Sequence, residues 1–322
     1  KRKDNRDNIF SSVILLKEEF LHNNIELNTS DITSIKEADI VIYYNLPISL
    51  PLKSNIYKSY IILSESELIR PDNYVIKKHK YFNKIFTWND KLVDNKKYFK
   101  LNYSHLFPNS INKDLSKKEK LCTLIAGNKS ANHPLELYTK RIVAIRWFEI
   151  NYPEDFDLYG TAWDKYRFTG PKIIRAFNRV PYLSQIFLKF TGQNYPLYKG
   201  MVDNKKETME KYKFSICYEN AKDIPGYITE KIFDTFFAGC VPIYWGANNI
   251  TDYVPKECFV DKRDYKTYEE LYKFIKNISD KEYMNYLDSI ENYINSEKKY
   301  IFTDKFYAKQ IVKQIKNKDI EC

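Results

Sequence analysis

The sequence predicts an α/β protein with two parallel sheets, and three observations lead to that class. Stretches of helical periodicity alternate with short, continuous β-branched runs, which is typical of parallel strands covered on both faces. A polar, charged stretch over 108–120 divides this alternation in two, as a linker between domains would. The 322 residues, 43% of them hydrophobic, are enough for two ordinary domains. We therefore assign residues 1–117 to a first domain and 118–322 to a second.

The first domain is predicted to open with an amphipathic helix that begins at residue 9 and ends at the polar residues 22–24. A short strand over 25–27 follows it. Three buried strands come next, over 38–44, 60–63 and 85–88. Because the chain starts at Lys1 with neither Met nor a signal-peptide pattern, we expect it to begin inside a longer gene product.

The second domain repeats the alternation. Its predicted strands cover residues 121–126, 156–159, 214–218 and 241–245, and its predicted helices cover 135–149 and 229–237. The remainder, 268–316, is mostly helical. Residues 163–198 fit neither pattern, but they carry Lys172, Arg175, Arg179 and Lys189 among aromatic side chains. They predict either an amphipathic helix in peripheral contact with an anionic membrane surface or a solvated helix.

Composition indicates the kind of partner and the cellular compartment that the chain suits. A formal charge of +10 favours anionic partners such as phosphate esters, nucleic acid or acidic lipid headgroups. Five cysteines without a CxxC pair favour free thiols in a reducing compartment. No apolar run approaches the about 20 residues of a bilayer span. We expect a cytoplasmic protein, with peripheral attachment at the inner face of the membrane as an alternative.

The sequence lacks the motifs that are typical of several enzyme families. The chain contains no GxGxxG, GxxxxGK[ST], HExxH or GxSxG motif, and its four scattered histidines suggest no metal cage. Asp155-Phe156-Asp157 is formally a D-x-D, which holds Mg²⁺ in some sugar-nucleotide enzymes, but a three-residue match is weak evidence. We therefore predict no metal and no cofactor.

Residues 212–255 carry the functional argument. They read as strand, polar loop, helix and strand, and ligands of such units bind at the carboxyl ends of the strands, beside helix starts. The polar residues at that place are Glu219, Asn220, Tyr227, Thr229, Glu230 and Lys231. A helix start with Lys231 in its first turn suits an anion, and the Glu230 carboxylate suits sugar hydroxyls. The alternative, for an isolated Thr-Glu-Lys, is a capping acid beside a solvated lysine.

The same run resembles the donor-binding signature of the α1,3/α1,4-fucosyltransferases, glycosyltransferase family 10. That signature reads approximately Phe-x-Leu-x-Phe-Glu-Asn, a short loop, Tyr-[Ile/Val]-Thr-Glu-Lys and then Pro-[Ile/Val]-x-x-Gly. Residues 125–130 followed by Arg141 resemble a second family segment, although Gly127 stands where Ser is usual. Asp157-Leu158-Tyr159-Gly160 resembles a third.

The resemblance implies a GT-B architecture, two Rossmann-like domains facing a cleft, with GDP-fucose bound by the second. It implies that Arg141 and Lys231 neutralise the diphosphate, that Asn220 and Tyr227 contact the nucleotide or phosphate, and that Glu230 holds fucose or ribose hydroxyls. It also implies two further donor-binding residues, Asn128 and Trp88. Asn128 follows the unusual Gly127, and Trp88 lines the donor cleft or, alternatively, packs between the domains.

An inverting transfer also needs a general base on the acceptor side. Glu65 follows the strand over 60–63, and its surroundings up to Pro71 resemble the family's Glu-Ser-Pro-x-x-x-Pro segment, with Glu67 in place of the first proline. We predict Glu65 as the catalytic base, with Glu67 as the alternative and Asp90 next.

The resulting hypothesis is a metal-independent inverting fucosyltransferase. It would move L-fucose from GDP-β-L-fucose to an oligosaccharide or lipid-linked glycan acceptor in surface polysaccharide or lipopolysaccharide synthesis. The predicted linkage is α1,3. One alternative keeps the fold and uses another GDP-sugar. A basic nucleic-acid-binding protein is the alternative of a different class, but no RNP, helix-turn-helix or zinc-finger pattern supports it, so we predict no nucleic-acid partner.

Overall fold

A computed structural model describes residues 11–166, 168, 170–180, 182–191 and 194–317. Within these ranges the chain forms two parallel sheets with helices packed on them, which confirms the α/β class. No described helix combines the length and the hydropathy that a membrane span requires.

The first sheet has the order β1-β2-β3-β4, and all its neighbours run parallel. Its strands are β1 Val41–Tyr44, β2 Ser59–Leu63, β3 Ile85–Thr87 and β4 Tyr98–Lys100. Every residue of β2 is buried, as its β-branched and aromatic sequence predicts. Helix α1, Ser11–His22, packs on one face through Leu16 and Phe20.

The predicted strand over 25–27 does not form. Ile25 and Leu27 pack their side chains against the core beside α1, but their backbone pairs with no strand of the described sheet. Three residues have too few backbone groups to hold an extended segment when no neighbour offers a ladder.

The second sheet has the order β6-β5-β7-β8-β9 and is also parallel throughout. Its strands are β5 Lys120–Ile125, β6 Phe156–Tyr159, β7 Tyr212–Tyr218, β8 Val241–Trp245 and β9 Val260–Asp261. The helices of this half are α2 Tyr138–Asn151, α3 Lys172–Ala176, α4 Leu183–Thr191, α5 Lys205–Met209, α6 Glu230–Phe237, α7 Tyr268–Asn277 and α8 Asp280–Asn295. One large apolar core joins α2, α6 and α8 to the sheet.

The connection from α6 to β8 shows why a glycine ends the helix. Gly239 has φ +57°, and a Cβ there would lie 1.9 Å from the carbonyl oxygen of Asn112. Only glycine fits this left-handed position. The sharp turn lets β8 run parallel to β7, so the amino end of α6 and the carboxyl end of β7 lie together.

The last helix, α9 Asp304–Lys316, returns to the first half of the molecule. Ile311, Val312 and Ile315 pack with Phe20 and Phe86 in the core of the first sheet. Helix α9 therefore departs from the predicted division at 117/118. Although it lies within 118–322, its apolar stripe is buried against the first sheet, because α1 and that sheet leave an apolar face for it to cover.

Four of the five cysteines, Cys122, Cys217, Cys240 and Cys258, are buried free thiols, whereas Cys322 lies outside the described residues.

Candidate functional site

The carboxyl ends of the two sheets face one cleft with two connected lobes. The smaller lobe has a volume of about 440 Å³ and the larger about 700 Å³. Both are lined by Tyr103, Lys205, Glu230 and Asp234, which join them. The cleft thus receives side chains from both halves of the chain.

A buried carboxylate organises the start of α6. Glu219, the first residue after β7, has 0% exposure and accepts hydrogen bonds from the Thr229 backbone N–H at 2.8 Å and the Thr229 hydroxyl at 2.6 Å. The Lys231 ammonium lies 3.4 Å from the same carboxylate and 3.2 Å from the carboxylate of Glu230. Glu219 therefore fixes both the loop that precedes α6 and the cation in its first turn.

Burial and the neighbouring charges shift the pKa values of Glu219, Lys231 and Glu230. Burial raises the pKa of Glu219, although Lys231 opposes the shift. Burial disfavours the charged form of Lys231, but Glu230 and Glu219 outweigh it and raise the pKa of this ammonium. Enclosure in the cleft disfavours the charged form of Glu230 as well, yet Lys231 and Lys205 hold its pKa at about 2. The lobe thus contains a permanent cation beside an ionised carboxylate that is 46% exposed.

Arg141, on α2, also lines the smaller lobe, beside the carboxyl end of β7. Its Nη2 donates to the carbonyl oxygens of Tyr218 at 2.6 Å and Glu219 at 2.9 Å and to Oδ1 of Asn220 at 3.1 Å. Its Nε is buried without a hydrogen-bond partner among the described residues. These hydrogen-bond partners are neutral oxygens rather than a carboxylate, so they do not neutralise the positive charge of the guanidinium. Arg141 can therefore still attract an anion in the lobe that it lines.

Tyr227 links the two halves. Its hydroxyl accepts a hydrogen bond from Nδ2 of Asn220 at 3.3 Å, and its ring lies 4.6 Å from the ring of Trp88. Trp88 is 1% exposed and donates from Nε1 to the carbonyl oxygen of Ser64 at 2.8 Å. Tyr227 and Asn220 line the smaller lobe, whereas Trp88 lines the larger lobe and also packs against Tyr227.

A polar latch fixes the loop that carries Tyr227. Asp90 accepts from Lys100 at 2.5 Å, from Asn249 at 2.9 Å and from the Tyr253 hydroxyl at 2.6 Å. Asn249 in turn accepts from the backbone N–H of Gly226 at 2.9 Å. These bonds hold the carboxylate of Asp90, the reserve candidate for the base, between the two halves, which suits positioning rather than proton transfer.

Glu65 lies at the end of β2, as predicted, and lines the smaller lobe with Arg141 and Lys231. Its backbone N–H donates to Oδ1 of Asn45 at 3.1 Å, and its carbonyl oxygen accepts from Asn73 at 3.3 Å. The backbone is thereby fixed while the partly exposed side chain stays in the cleft. Glu67, two residues on, is exposed and does not line either lobe.

The structure does not bring Asn128 into the lobe. Its side-chain Nδ2 donates to the carbonyl oxygen of Ala162 at 3.1 Å, whereas the neighbours Gly127 and Lys129 line the cavity. The sequence reasoning missed Lys129, Lys205 and Tyr103. Lys129 lies within the quoted segment 125–130 but was given no role there, whereas Lys205 and Tyr103 lie outside every quoted segment and are single residues without a local pattern.

The two carboxylates of the D-x-D face different surroundings. Asp155 accepts from Tyr272 at 2.7 Å and Lys276 at 2.6 Å, while Asp157 accepts from Tyr212 at 2.7 Å and Lys120 at 3.0 Å. Over the described ranges, no group of three His, Cys, Asp or Glu is arranged to hold a metal ion.

Residues 178–318 match the model of the C-terminal domain of glycosyltransferase family 10, the fucosyltransferases. The match covers the segment 212–255 that carries the resemblance, and the resemblance is confirmed.

Curated relatives agree over shorter stretches. The chain is 43% identical over 76 residues to the alpha-(1,3)-fucosyltransferase FucT of Helicobacter pylori, covering 23% of this chain and 16% of that one. It is 38% identical over 72 residues to an alpha-(1,4)-fucosyltransferase of Arabidopsis thaliana, covering 22% and 18%. It is 32% identical over 119 residues to human 4-galactosyl-N-acetylglucosaminide 3-alpha-L-fucosyltransferase 9, covering 34% and 32%. The matched stretches thus span less than a third of each relative.

Solved structures share the fold over nearly the whole chain. A crystal structure of an alpha1,3-fucosyltransferase with GDP superposes with a TM-score of 0.53 at 15% identity, covering 95% of this chain and 85% of that one. An alpha-glucosyltransferase in complex with UDP and a 13-mer DNA superposes with a TM-score of 0.52 at 10% identity, covering 95% of both chains. The GT-B architecture is confirmed, and the fold alone does not select the nucleotide.

Proposed function

We propose that this chain, whose residues 178–318 match the model of glycosyltransferase family 10, is an inverting fucosyltransferase that uses GDP-β-L-fucose and a glycan acceptor. The observation that carries the proposal is the smaller lobe, which Glu65 lines from the first half and Arg141 and Lys231 line from the second. A base and a cationic site for the leaving diphosphate are what transfer from a sugar nucleotide requires.

The cations act on the leaving group. As the bond between the anomeric carbon and the diphosphate oxygen breaks, GDP gains negative charge, and Lys231 and Arg141 are already in place to stabilise it. Glu219 and Thr229 hold the Lys231 ammonium, so little reorganisation is needed at the moment of transfer. Glu230, ionised and part-exposed in the joint between the lobes, would accept hydrogen bonds from fucose or ribose hydroxyls.

Glu65 acts on the acceptor. Its carboxylate takes the proton of the acceptor hydroxyl, whose oxygen forms the new bond to the anomeric carbon while the bond to GDP breaks on the opposite face. The β-linked donor gives an α-fucoside. The larger lobe has room for acceptor sugars, and its walls include the aromatic rings of Trp88, Tyr103, Phe237 and Tyr307.

The remaining elements of the proposal are an α1,3 linkage, an oligosaccharide or lipid-linked acceptor in surface polysaccharide or lipopolysaccharide synthesis, a cytoplasmic setting, and transfer without metal or cofactor. Lys231 and Arg141 supply the charge stabilisation for which other sugar-nucleotide enzymes use a metal. We propose no nucleic-acid partner, since the sequence carries no RNP, helix-turn-helix or zinc-finger pattern.

Thermal unfolding with a panel of nucleotides tests the donor assignment. GDP at about 100 times its Kd should add about 2.7 kcal/mol to the free energy of unfolding, in EDTA as well as in Mg²⁺. UDP at the same concentration serves as the matched control. If UDP stabilises the protein as well as GDP, or if EDTA abolishes the effect, the donor site is misassigned. Stabilisation by GDP-mannose equal to that by GDP-fucose would instead favour another GDP-sugar.

A further inference from the structure

A segment beside the cleft concentrates both exposed apolar surface and positive charge. Between Asp164 and Asp203 the sequence has seven Lys or Arg residues and no acidic residue, whereas the whole chain has a net charge of +10. We call residues 165–202 the basic segment. It contains α3 and α4 and leaves the second sheet after β6.

The apolar side chains of the basic segment are unusually exposed. Eight large ones between 173 and 190 are turned to solvent, and Ile173 and Phe190 reach 79% and 86% exposure. The others are Ile174, Phe177, Val180, Tyr182, Ile186 and Phe187. Scattered exposed hydrophobic residues are normal on a surface, but eight of them within 18 positions of the chain indicate a surface that another body covers.

The described residues of the basic segment form a folded unit with a fixed base. Phe168 packs against Tyr166, Phe177 and Phe187, and its backbone exchanges two hydrogen bonds with the side chain of Asn178. At the base, the backbone N–H of Gly160 donates to Gly200 at 3.0 Å, and the Tyr198 hydroxyl donates to Gly160 at 2.7 Å. The apolar side chains outside this small core are therefore held at the surface.

From this geometry we propose that the basic segment is a membrane-contact surface that binds bilayers rich in anionic phospholipid. Lys172, Arg175 and Arg179 are exposed on the same short stretch as Ile173 and Phe177. Cations beside apolar side chains match a bilayer surface, where headgroup phosphates lie above acyl chains. The side chain of Lys189, the fourth cation of the predicted pattern, lies outside the described part of the chain.

The charge pattern separates the bilayer from other occupants. In a symmetric contact with a second copy, the same cations would face one another without an acidic partner. Nucleic acid would pair with the cations but would leave aliphatic side chains such as Ile173 without a role. An anionic bilayer accounts for both features.

Membrane binding would also orient the enzyme. Gly160, Thr161, Met201 and Val202, at the base of the basic segment, line the smaller lobe of the cleft. A bilayer seated on the segment would therefore lie near the mouth of this lobe. The surface itself is independent of the proposed donor and acceptor, so vesicle binding and GDP binding can succeed or fail separately.

Vesicle sedimentation with the full chain tests the proposal. The protein should pellet with phosphatidylcholine vesicles that contain about 30% phosphatidylglycerol, and far less with phosphatidylcholine alone or at about 1 M salt. Ile173→Ser combined with Phe190→Ser should weaken binding at least about tenfold, because two inserted side chains are lost. Replacing Lys172, Arg175 and Arg179 by Glu should weaken it about a hundredfold or more.

Matched surface variants serve as controls. Ile48→Ser with Ile150→Ser removes exposed apolar residues elsewhere, and glutamate at Lys17, Lys53 and Lys298 makes the same change in net charge. Both controls should keep vesicle binding, and all variants should keep the GDP-induced rise in Tm. The proposal is overturned if wild type ignores anionic vesicles or if the charge controls lose as much binding as the segment variants. It is equally overturned if sedimentation velocity shows a dimer that the Ile173/Phe190 variant dissociates.

Discussion

At the scale of single residues, the site is arranged around a carboxylate that never meets the substrate. Glu219 has 0% exposure, yet it holds Thr229 and Lys231, which begin α6. Removing one charge from this cluster leaves its partner unpaired, and an unpaired buried charge strongly destabilises the folded state. Substitutions at this site therefore change stability and catalysis together unless the design separates them.

A double-mutant cycle separates the two effects of Lys231. Lys231→Ala should lower kcat about 10²-fold or more through lost stabilisation of the proposed leaving diphosphate, and should lower the free energy of unfolding by about 3 kcal/mol through the stranded Glu219. Adding Glu219→Gln removes the stranded charge while an amide still bonds to Thr229. The double variant should therefore regain stability but not kcat. Recovery of both would show that Lys231 acts through folding alone.

Glu65→Gln tests the base directly. The variant should fold and bind GDP-fucose like wild type, since Arg141 and Lys231, the proposed diphosphate ligands, come from the other half, but transfer should fall about 10² to 10⁴-fold. Isothermal titration with GDP-fucose and a transfer assay measure the two quantities. Glu67→Gln, two residues away and outside both lobes, is the matched control and should keep activity. Loss of transfer in the control alone would move the base to Glu67.

At the scale of elements, the loop between β7 and α6 depends on one close approach. Gly226 has φ +78°, and a Cβ there would lie 2.4 Å from the carbonyl oxygen of Trp88 and 2.7 Å from the ammonium of Lys100. The latch at Asp90 leaves the loop no room to move away. The lack of a side chain at Gly226 thus sets the position of Tyr227 in the smaller lobe.

Gly226→Ala should displace this loop. We expect at least about a tenfold loss of GDP-fucose affinity and a drop in Tm of several degrees, from both backbone strain and the clash. Gly200→Ala is the control, since Gly200 has φ +105° but nothing within 4 Å of a new Cβ. That variant should show the strain alone. Equal losses of affinity in both would mean that Tyr227 does not depend on the close approach.

Elements with a strong local pattern could be predicted from the sequence. The β-branched runs that became β2, β5 and β8 are buried on both faces, so each carries its own signal. Strand β4 was missed because Tyr98–Lys100 has three residues with a single buried apolar position, and β9 has only two residues. Both strands form because their backbones hydrogen-bond to a neighbouring strand, β3 for β4 and β8 for β9. That pairing depends on the tertiary fold and cannot be seen in the local sequence.

The candidate site divides in the same way. Arg141, Asn220, Tyr227, Glu230 and Lys231 could be found because family spacing or a strand-loop-helix pattern marks them. Lys205 enters the cleft only because α5 packs beside α6, where its ammonium lies 3.1 Å from Asp234. The side chain of Asn128 turns towards Ala162, a hydrogen bond to a loop that local sequence does not reveal.

At the scale of the whole molecule, the crossing of α9 makes the two halves depend on each other. Ile311 has 0% exposure and packs in the core of the first sheet, although it follows the second in sequence. Stability of the first half therefore rests on contacts made by the end of the second. We expect the two sheets to unfold together.

Ile311→Ala tests this coupling. Loss of the buried side chain should cost about 2 to 5 kcal/mol and lower the Tm of the whole protein in one transition. Circular dichroism and tryptophan fluorescence should report the same midpoint, since Trp88 belongs to the first half and Trp147 to the second. Lys309→Ala, on the exposed side of the same helix, should change Tm little. Two separated transitions in the variant would show that the halves fold independently.

The crossing helix also sets an order in time. On the ribosome, residues 41–100 emerge long before residues 304–316, so the first sheet cannot close its core until nearly the whole described chain has been made. During that interval Phe20 and Phe86 lack their final cover, whereas the second sheet can complete its own core without α9. The nascent first half would then need protection from aggregation for about two hundred codons of synthesis, roughly 10 to 40 seconds at ordinary elongation rates.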